Sequence, residues 1–211
     1  MNRQIQGWCC RRLRYLLPVL KNWINANGKI AATWKNSKDA PWCNNERSSL
    51  SVFAGSVWRA GGFAFEEYSD EKRSILRKSS RLSKPYQGRV DFYFKFSGKE
   101  FIAEVKQVWS GYTVSRVNPC PRLDRALKSA RRDIRKSLPY GQHRLAFLFA
   151  MPYFQKRAKD SVSERVEMWI KAIRDLDYDA LAWVFPSDTR HLSDGEYYYP
   201  GVALAIKEVK R

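Results

Sequence analysis

A mixed α/β protein is predicted by three features of the sequence. Residues 89–107 alternate with period two on either side of Ser97-Gly98, as the arms of a β-hairpin do. Leu145 to Ala150 is apolar on both faces, the pattern of a central strand covered on two sides. Residues 45–60, 123–137 and 161–173 repeat apolar side chains at helical spacing, each giving one buried stripe. Strands in a meander, followed by helices alternating with strands, close into a mixed central sheet flanked by helices.

Taken in order, residues 1–24 read as a helix, with Ile5, Trp8, Cys9, Leu13, Leu16, Leu17 and Leu20 on one side and Arg11, Arg12, Arg14 and Lys21 on the other. Pro18 interrupts that pattern. Residues 25–43, rich in Asn, Gly, Ser and Lys and containing Pro41, read as a linker. The expected organisation is therefore a basic helical extension and linker over 1–43, followed by one domain over 44–211. The helix over 45–60 is capped by Asn44 or Asn45 and carries Leu50, Phe53, Ala54, Val57 and Trp58 as its stripe. Glu46 projects from the edge of that stripe, and Gly61-Gly62 ends the helix. Phe63 to Tyr68 forms a strand, and residues 69–88 form a long basic connection containing Lys72, Arg73, Arg77, Lys78, Arg81 and Lys84. Beyond the hairpin, residues 108–121 read as a loop with Trp109, Tyr112 and Arg116. The helix over 123–137 buries Leu123, Ala126, Leu127, Ala130 and Ile134. Ser161-x-x-Glu164 is a capping box opening a helix with Val162, Val166, Trp169, Ile170 and Ile173 inward. Strands follow at 179–185 and 202–206, separated by a loop carrying Tyr197-Tyr198-Tyr199.

The hairpin carries the chemistry. A two-residue Ser97-Gly98 loop pairs Phe96 with Lys99, and stepping back along both arms brings Asp91 opposite Glu104. Like charges facing each other across a ladder are destabilising. Lys106, two residues on and on the same face, is one compensating cation, and a divalent metal is a better one. Hard cations such as magnesium take oxygen ligands, often only one or two carboxylates with water and substrate phosphate.

An Asp, a hairpin and then Glu104-Val105-Lys106 resembles the PD-(D/E)xK nuclease superfamily, with Val90 where the motif's Pro stands. The resemblance covers about residues 44–151. It implies a restriction-endonuclease-like α-β-β-β-α-β core with the metal hairpin in its middle. It implies that Asp91 and Glu104 hold Mg2+, with Mn2+ as a substitute, helped by the backbone carbonyl of Val105 and by Glu46 from the first core helix. Lys106 would then orient and polarise the attacking water, and Gln107 would hydrogen-bond a phosphate or the Lys. Glu66 and Glu67 are the runner-up acids. The activity implied is phosphodiester hydrolysis, with a DNA endonuclease expected. Two alternatives stand beside it: a nucleic-acid-binding module that does not cut, and a nuclease subunit active only within a larger transposition, repair or defence complex. Homodimers are common in such folds, and a bacterial, phage or mobile-element protein associated with the nucleoid is implied.

The formal net charge of +18 on 211 residues favours a polyanionic partner, and nucleic acid leads. The cations concentrate on the helix after the hairpin, where Arg125, Lys128, Arg131, Arg132 and Arg135 form a phosphate-tracking face. Four cysteines without C-x-x-C spacing suit free thiols in a reducing, cytoplasmic compartment, and two distant histidines disfavour a zinc site. No apolar run reaches membrane-spanning length, and neither a membrane partner nor a secretion signal is expected.

Overall fold

In a computed structural model, which describes residues 4–35, 39–72, 86–111, 119–137, 141–157 and 161–210, the chain builds a mixed eight-stranded sheet flanked by four helices. Strands are β1 (Ile5–Cys10), β2 (Phe63–Lys72), β3 (Tyr86–Phe96), β4 (Lys99–Gly111), β5 (His143–Gln155), β6 (Ala180–Phe185), β7 (Tyr197–Tyr198) and β8 (Val202–Glu208). Helices are α1 (Leu17–Thr33), α2 (Glu46–Arg59), α3 (Cys120–Ile134) and α4 (Val162–Ile173). The sheet runs β1-β6-β8-β5-β4-β3-β2, with β7 pairing the end of β5. β2, β3 and β4 form an antiparallel meander, and β4 and β5 are parallel.

The N-terminal region departs from the expected helix and linker. Residues 5–10 are an edge strand antiparallel to β6. The helix begins at Leu17 and runs through the expected linker to Thr33. Pro18 lies in its first turn, where a missing N–H costs nothing, rather than in its interior. Val19, Leu20, Trp23 and Ala31 are fully buried in the core, so these residues belong to the sheet and its packing rather than to an extension. The arginines serve that docking: the Arg11 guanidinium donates to the carbonyls of Leu176 and Arg174 and lies 4.0 Å over the Tyr178 ring.

Two apolar layers sandwich the sheet. One holds α1 and α2 against Phe92, Phe94, Phe101, Phe147 and Phe149. The other holds α3 and α4 against Tyr93, Ile102, Leu148, Phe154 and Phe185. Phe53 of α2 sits at the centre of the first, edge-on to Phe92, Phe94 and Phe147 at 5.8, 6.0 and 5.0 Å. Truncating such a residue costs about 3–5 kcal/mol, and it fixes α2 across the middle of the meander. Leu50 and Val57 of the predicted stripe are buried with it, but Trp58 is 55% exposed. The stripes of α3 and α4 bury as predicted except for Ala126, which is half-buried, and the Ser161–Glu164 capping box forms.

Elements run longer than the sequence pattern suggested at the expected loops. β2 continues to Lys72 and β3 begins at Tyr86, so the basic connection shrinks, and Arg73, Arg77, Lys78, Arg81 and Lys84 lie outside the described residues. β4 continues through Trp109 to Gly111, with Tyr112 and Arg116 outside the described residues. Regular ladder pairing through polar residues is what extends them, and single-sequence patterning does not register it.

Candidate active site

Ser97 and Gly98 have φ of 51° and 71° and close the hairpin as a two-residue loop, with Phe96 paired to Lys99. The predicted register therefore holds, but the β3–β4 ladder ends at Phe92↔Ala103, one pair short of Asp91 and Glu104. From there β3 follows β2 alone, as far as Lys72↔Tyr86. Glu67, across from Asp91 on β2, has φ of 53°, and the two are not ladder partners. The facing of β3 changes at this point: Phe92 and Phe94 pack into the α1/α2 layer, whereas Val90 packs into the other with Tyr93. Asp91 thus stands where β3 peels away from β4. Its Oδ2 accepts the Val105 N–H at 2.7 Å, a side chain standing in for the missing strand partner.

Glu104 is 6% exposed. Burial pushes its carboxyl up to about 7, the Lys72 hydrogen bond opposes this, and the neighbouring Asp91 charge adds to it. The compensating cation is thus not the expected Lys106 but Lys72, whose Nζ donates to Glu104 Oε1 at 2.7 Å. Lys72 comes from the far end of β2, which also bridges to Ser137 just past α3. A sequence reading misses it because the contact depends on the curl of β2 over the α3 side, a long-range feature with no local signature.

Glu46 opens α2, behind the Asn45 side chain that accepts the Ser48 N–H at 3.0 Å. Burial raises its carboxyl; Lys106 lowers it, Asp91 raises it, and the Gln107 N–H lowers it. Glu46 therefore shares a field with both Asp91 and Lys106. Lys106 also acts on Asp133 of α3, a group the sequence reading did not single out. Burial raises Asp133, but the Lys136 hydrogen bond and the charges of Lys106 and Arg132 bring it below the usual range.

Gln107 takes a different part from the phosphate or lysine contact expected of it. Its Oε1 accepts from the Ser49 hydroxyl at 2.9 Å and its Nε2 donates to the Asn44 carbonyl at 3.2 Å. It ties the first turn of α2 to β4, and so holds Glu46 beside the carboxylate pair. Val105 is fully buried, its N–H given to Asp91. The runner-up acids are engaged elsewhere: Glu66 accepts from Ser51 at 2.7 Å, and Glu67 pairs with Arg47 and with Arg89.

The cationic helix divides. Arg125, Lys128 and Arg132 are exposed and, with Arg122, Ser129 and Val108, line an open groove of about 580 Å³ between α3 and β4. Lys128 also pairs with Asp124 at 2.6 Å, one turn back. Arg135 is exposed just beyond the last turn. Arg131 turns away, half-buried, to pair with Asp177 at 2.9 Å, and so is set apart from the expected phosphate face.

Among the described residues, no three His, Cys, Asp or Glu side chains converge as a protein-only metal cage. The donor set that does converge is a pair of carboxylates, one buried, with a third set further back. That set fits a hard cation that completes its shell with water and phosphate better than it fits zinc. The four cysteines form no disulfide. No helix among the described residues is long and apolar enough to cross a membrane. No family model, curated protein or solved structure matches the chain.

Proposed function

We propose that this protein is a metal-dependent nuclease, with DNA cut internally as the expected reaction and a restriction-endonuclease-like core from α2 to β5. The order α2-β2-β3-β4-α3-β5, with β4 and β5 parallel, supports the core. The observation that carries the function is the meeting of Asp91 and Glu104 at the point where β3 leaves β4, with Glu46 and Lys106 within electrostatic reach. Each carboxyl there is linked electrostatically to another member of the set, and burial keeps the ionised form of Glu104 costly even with the Lys72 hydrogen bond.

Asp91 and Glu104 would hold magnesium or manganese, with the Val105 carbonyl as a further oxygen donor and Glu46 acting from further back through water. The metal, when bound, would supply a lowered water pKa and a shield for charge on the phosphate. The chain's own residues do the rest. Lys106 presents a positive charge beside the carboxylates, suited to orienting a water and an incoming phosphate oxygen. Gln107 fixes the helix terminus that carries Glu46. The groove of Arg122, Arg125, Lys128 and Arg132 runs along the same face of β4 and suits a phosphate backbone.

One observation favours a second reading, a nucleic-acid-binding module that does not cut. Lys72 already neutralises Glu104 at hydrogen-bond distance, as a structural lysine would in place of a metal. Cleavage assays separate the two. Supercoiled plasmid, linear duplex, single-stranded DNA and RNA are incubated with magnesium, manganese or chelator. Metal-dependent cutting by wild type that disappears in Lys106→Ala supports the nuclease, and the substrate panel assigns its polymer. Tight, salt-sensitive binding with no cutting under any metal supports the module, or a subunit whose partner completes it.

A further inference from the structure

Beyond the carboxyl ends of the parallel strands β4 and β5, where α/β sheets tend to bind ligands, lies a second cavity that the cleavage chemistry does not use. It measures about 590 Å³, and its walls include Trp109, Tyr153, Tyr197, Tyr199, Cys43 and Asp194. That volume is in the range of small-ligand pockets. We propose that this pocket binds an unpaired nucleobase of single-stranded nucleic acid, a reading that rests on the proposed nucleic-acid function and names a substrate feature for it.

The walls are set rather than loose. Trp109 and Tyr199 meet edge-to-face at 5.1 Å, and Tyr153 and Tyr197 do so at 5.2 Å. Asp194 accepts the Tyr197 N–H at 3.2 Å and the Tyr199 hydroxyl. The Trp42 indole N–H donates to the Tyr199 carbonyl at 3.3 Å. Gly111, paired with Tyr153 across β4 and β5, leaves room for that ring: a Cβ there would stand 2.8 Å from it. Polar ties thus hold Tyr197 and Tyr199, and edge-to-face contacts with them place Trp109 and Tyr153 around the same space.

The chemistry of the walls selects the ligand. Aromatic faces stack on any base. Asp194, exposed and lining the space, sets a negative charge against it, so a phosphate is repelled and a neutral base is not. Two cations, Lys156 and Arg157, and one carboxylate, Glu196, line an adjoining depression that shares Tyr197, and its net positive charge suits a flanking phosphate. Trp109 follows Lys106 by three residues on β4, about 10 Å along the strand, and packs on the α1/α2 side of the sheet, the face opposite to that of Val108. Cys43 is not a reactive group in the pocket: burial, together with the charges of Asp39 and Asp194, pushes its thiol up to about 12 against a backbone hydrogen bond.

The test uses the full chain in chelator, so that binding is read without cleavage. Fluorescence anisotropy compares a labelled oligo(dT) with an oligomer of the same length built from abasic sugars, for wild type and Tyr197→Ala. The expected result is tighter binding of the dT oligomer by wild type, and a loss of about 5- to 150-fold in Tyr197→Ala. Any fall in abasic affinity from the loss of Tyr197 beside the phosphate depression is expected to be far smaller, and retained abasic binding reports that the variant is folded. If the abasic affinity falls as far, Tyr153→Leu, which touches Tyr197 but does not line the phosphate depression, takes the same comparison. Equal binding of the two oligomers by wild type, or a dT preference that survives in the folded variant, overturns the proposal. Displacement of the oligomer by thymidine monophosphate at the oligomer's own affinity overturns the strand assignment in favour of a free nucleotide. Base-blind binding alongside metal-dependent cleavage removes the pocket alone. Base-dependent binding without cleavage under any metal removes the nuclease reading alone.

Discussion

Two acidic pairs are built into this sheet, and their surroundings differ in kind. Asp177 and Asp179, just before and at the approach to β6, are surrounded by positive charge: Lys207 pairs with both, Arg131 with Asp177, and Arg12 approaches Asp179 at 3.9 Å. Asp179 also accepts the Glu208 N–H at 2.9 Å. The Lys207 hydrogen bond, opposed by burial, draws the Asp177 carboxyl below its usual range. Asp91 and Glu104 have the opposite balance. Among the described residues only Lys72 is within ion-pair distance of either, and Glu104 is pushed up toward neutrality. A pair supplied with its own cations joins β6, β8 and α3 and has nothing left to bind. A pair short of cations is costly to the fold, and such cost persists most readily where a ligand relieves it.

The contrast is sharpened first by activity. Asp91→Asn and Lys106→Ala are expected to lower cleavage by about 10²- to 10⁴-fold while melting close to wild type, because neither side chain lies in an apolar layer. Asp179→Ala is expected to do the reverse. It removes the acceptor of the Glu208 N–H, leaves Lys207 with Asp177 alone, and costs about 1–3 kcal/mol in denaturant unfolding, with cleavage per folded molecule unchanged. A fall in activity without a fall in stability for Asp179→Ala breaks the comparison.

The next effect is on pH. Glu104 holds its proton more tightly folded than unfolded, since its folded value of about 7 lies above the ordinary 4.5. The stability it contributes is therefore complete below pH 4.5 and is lost as pH rises through 7. Glu104→Gln removes that loss. The gap in melting temperature between the variant and wild type is expected to shift in the variant's favour across this window. A gap that stays constant with pH contradicts the account of Glu104.

The smallest effect is on salt dependence. Replacing Arg125, Lys128 and Arg132 with Ala together is expected to lower the slope of log affinity against log salt by about one per contact removed. Arg131→Ala, whose guanidinium is spent on Asp177, is expected to leave the slope in place. Equal changes from both would mean that the groove is not the phosphate track.

The difference between the two pairs also marks what a sequence can tell. Asp91, Glu104 and Glu46 were legible because period-two alternation, a Ser-Gly turn and a capped helix are local signals, and each is expressed locally in the fold. The strand at Ile5–Cys10 was hidden. It is short and rich in residues that also suit a helical stripe, and its hydrogen bonds go to β6, some 170 residues away in sequence. Lys72, Asp133 and the true task of Gln107 were hidden for the same reason, since each is defined by a partner on another element. The aromatic pocket was only half visible: the Tyr197-Tyr198-Tyr199 run stood out, but Trp109 and Tyr153 join it through the parallel pairing of β4 and β5.

The central claim is that the cation-poor pair is a metal site and the cation-rich pair is not. Calorimetric titration of Mn2+ into wild type, Asp91→Asn and Asp179→Asn at pH 7, in two buffers of different ionisation heat, tests it directly. The account predicts one saturable site in wild type with proton release, because Glu104 must give up its proton to bind. It predicts loss of that site in Asp91→Asn and its retention in Asp179→Asn. Wild type that binds no metal, or Asp91→Asn that binds as well as wild type, contradicts it.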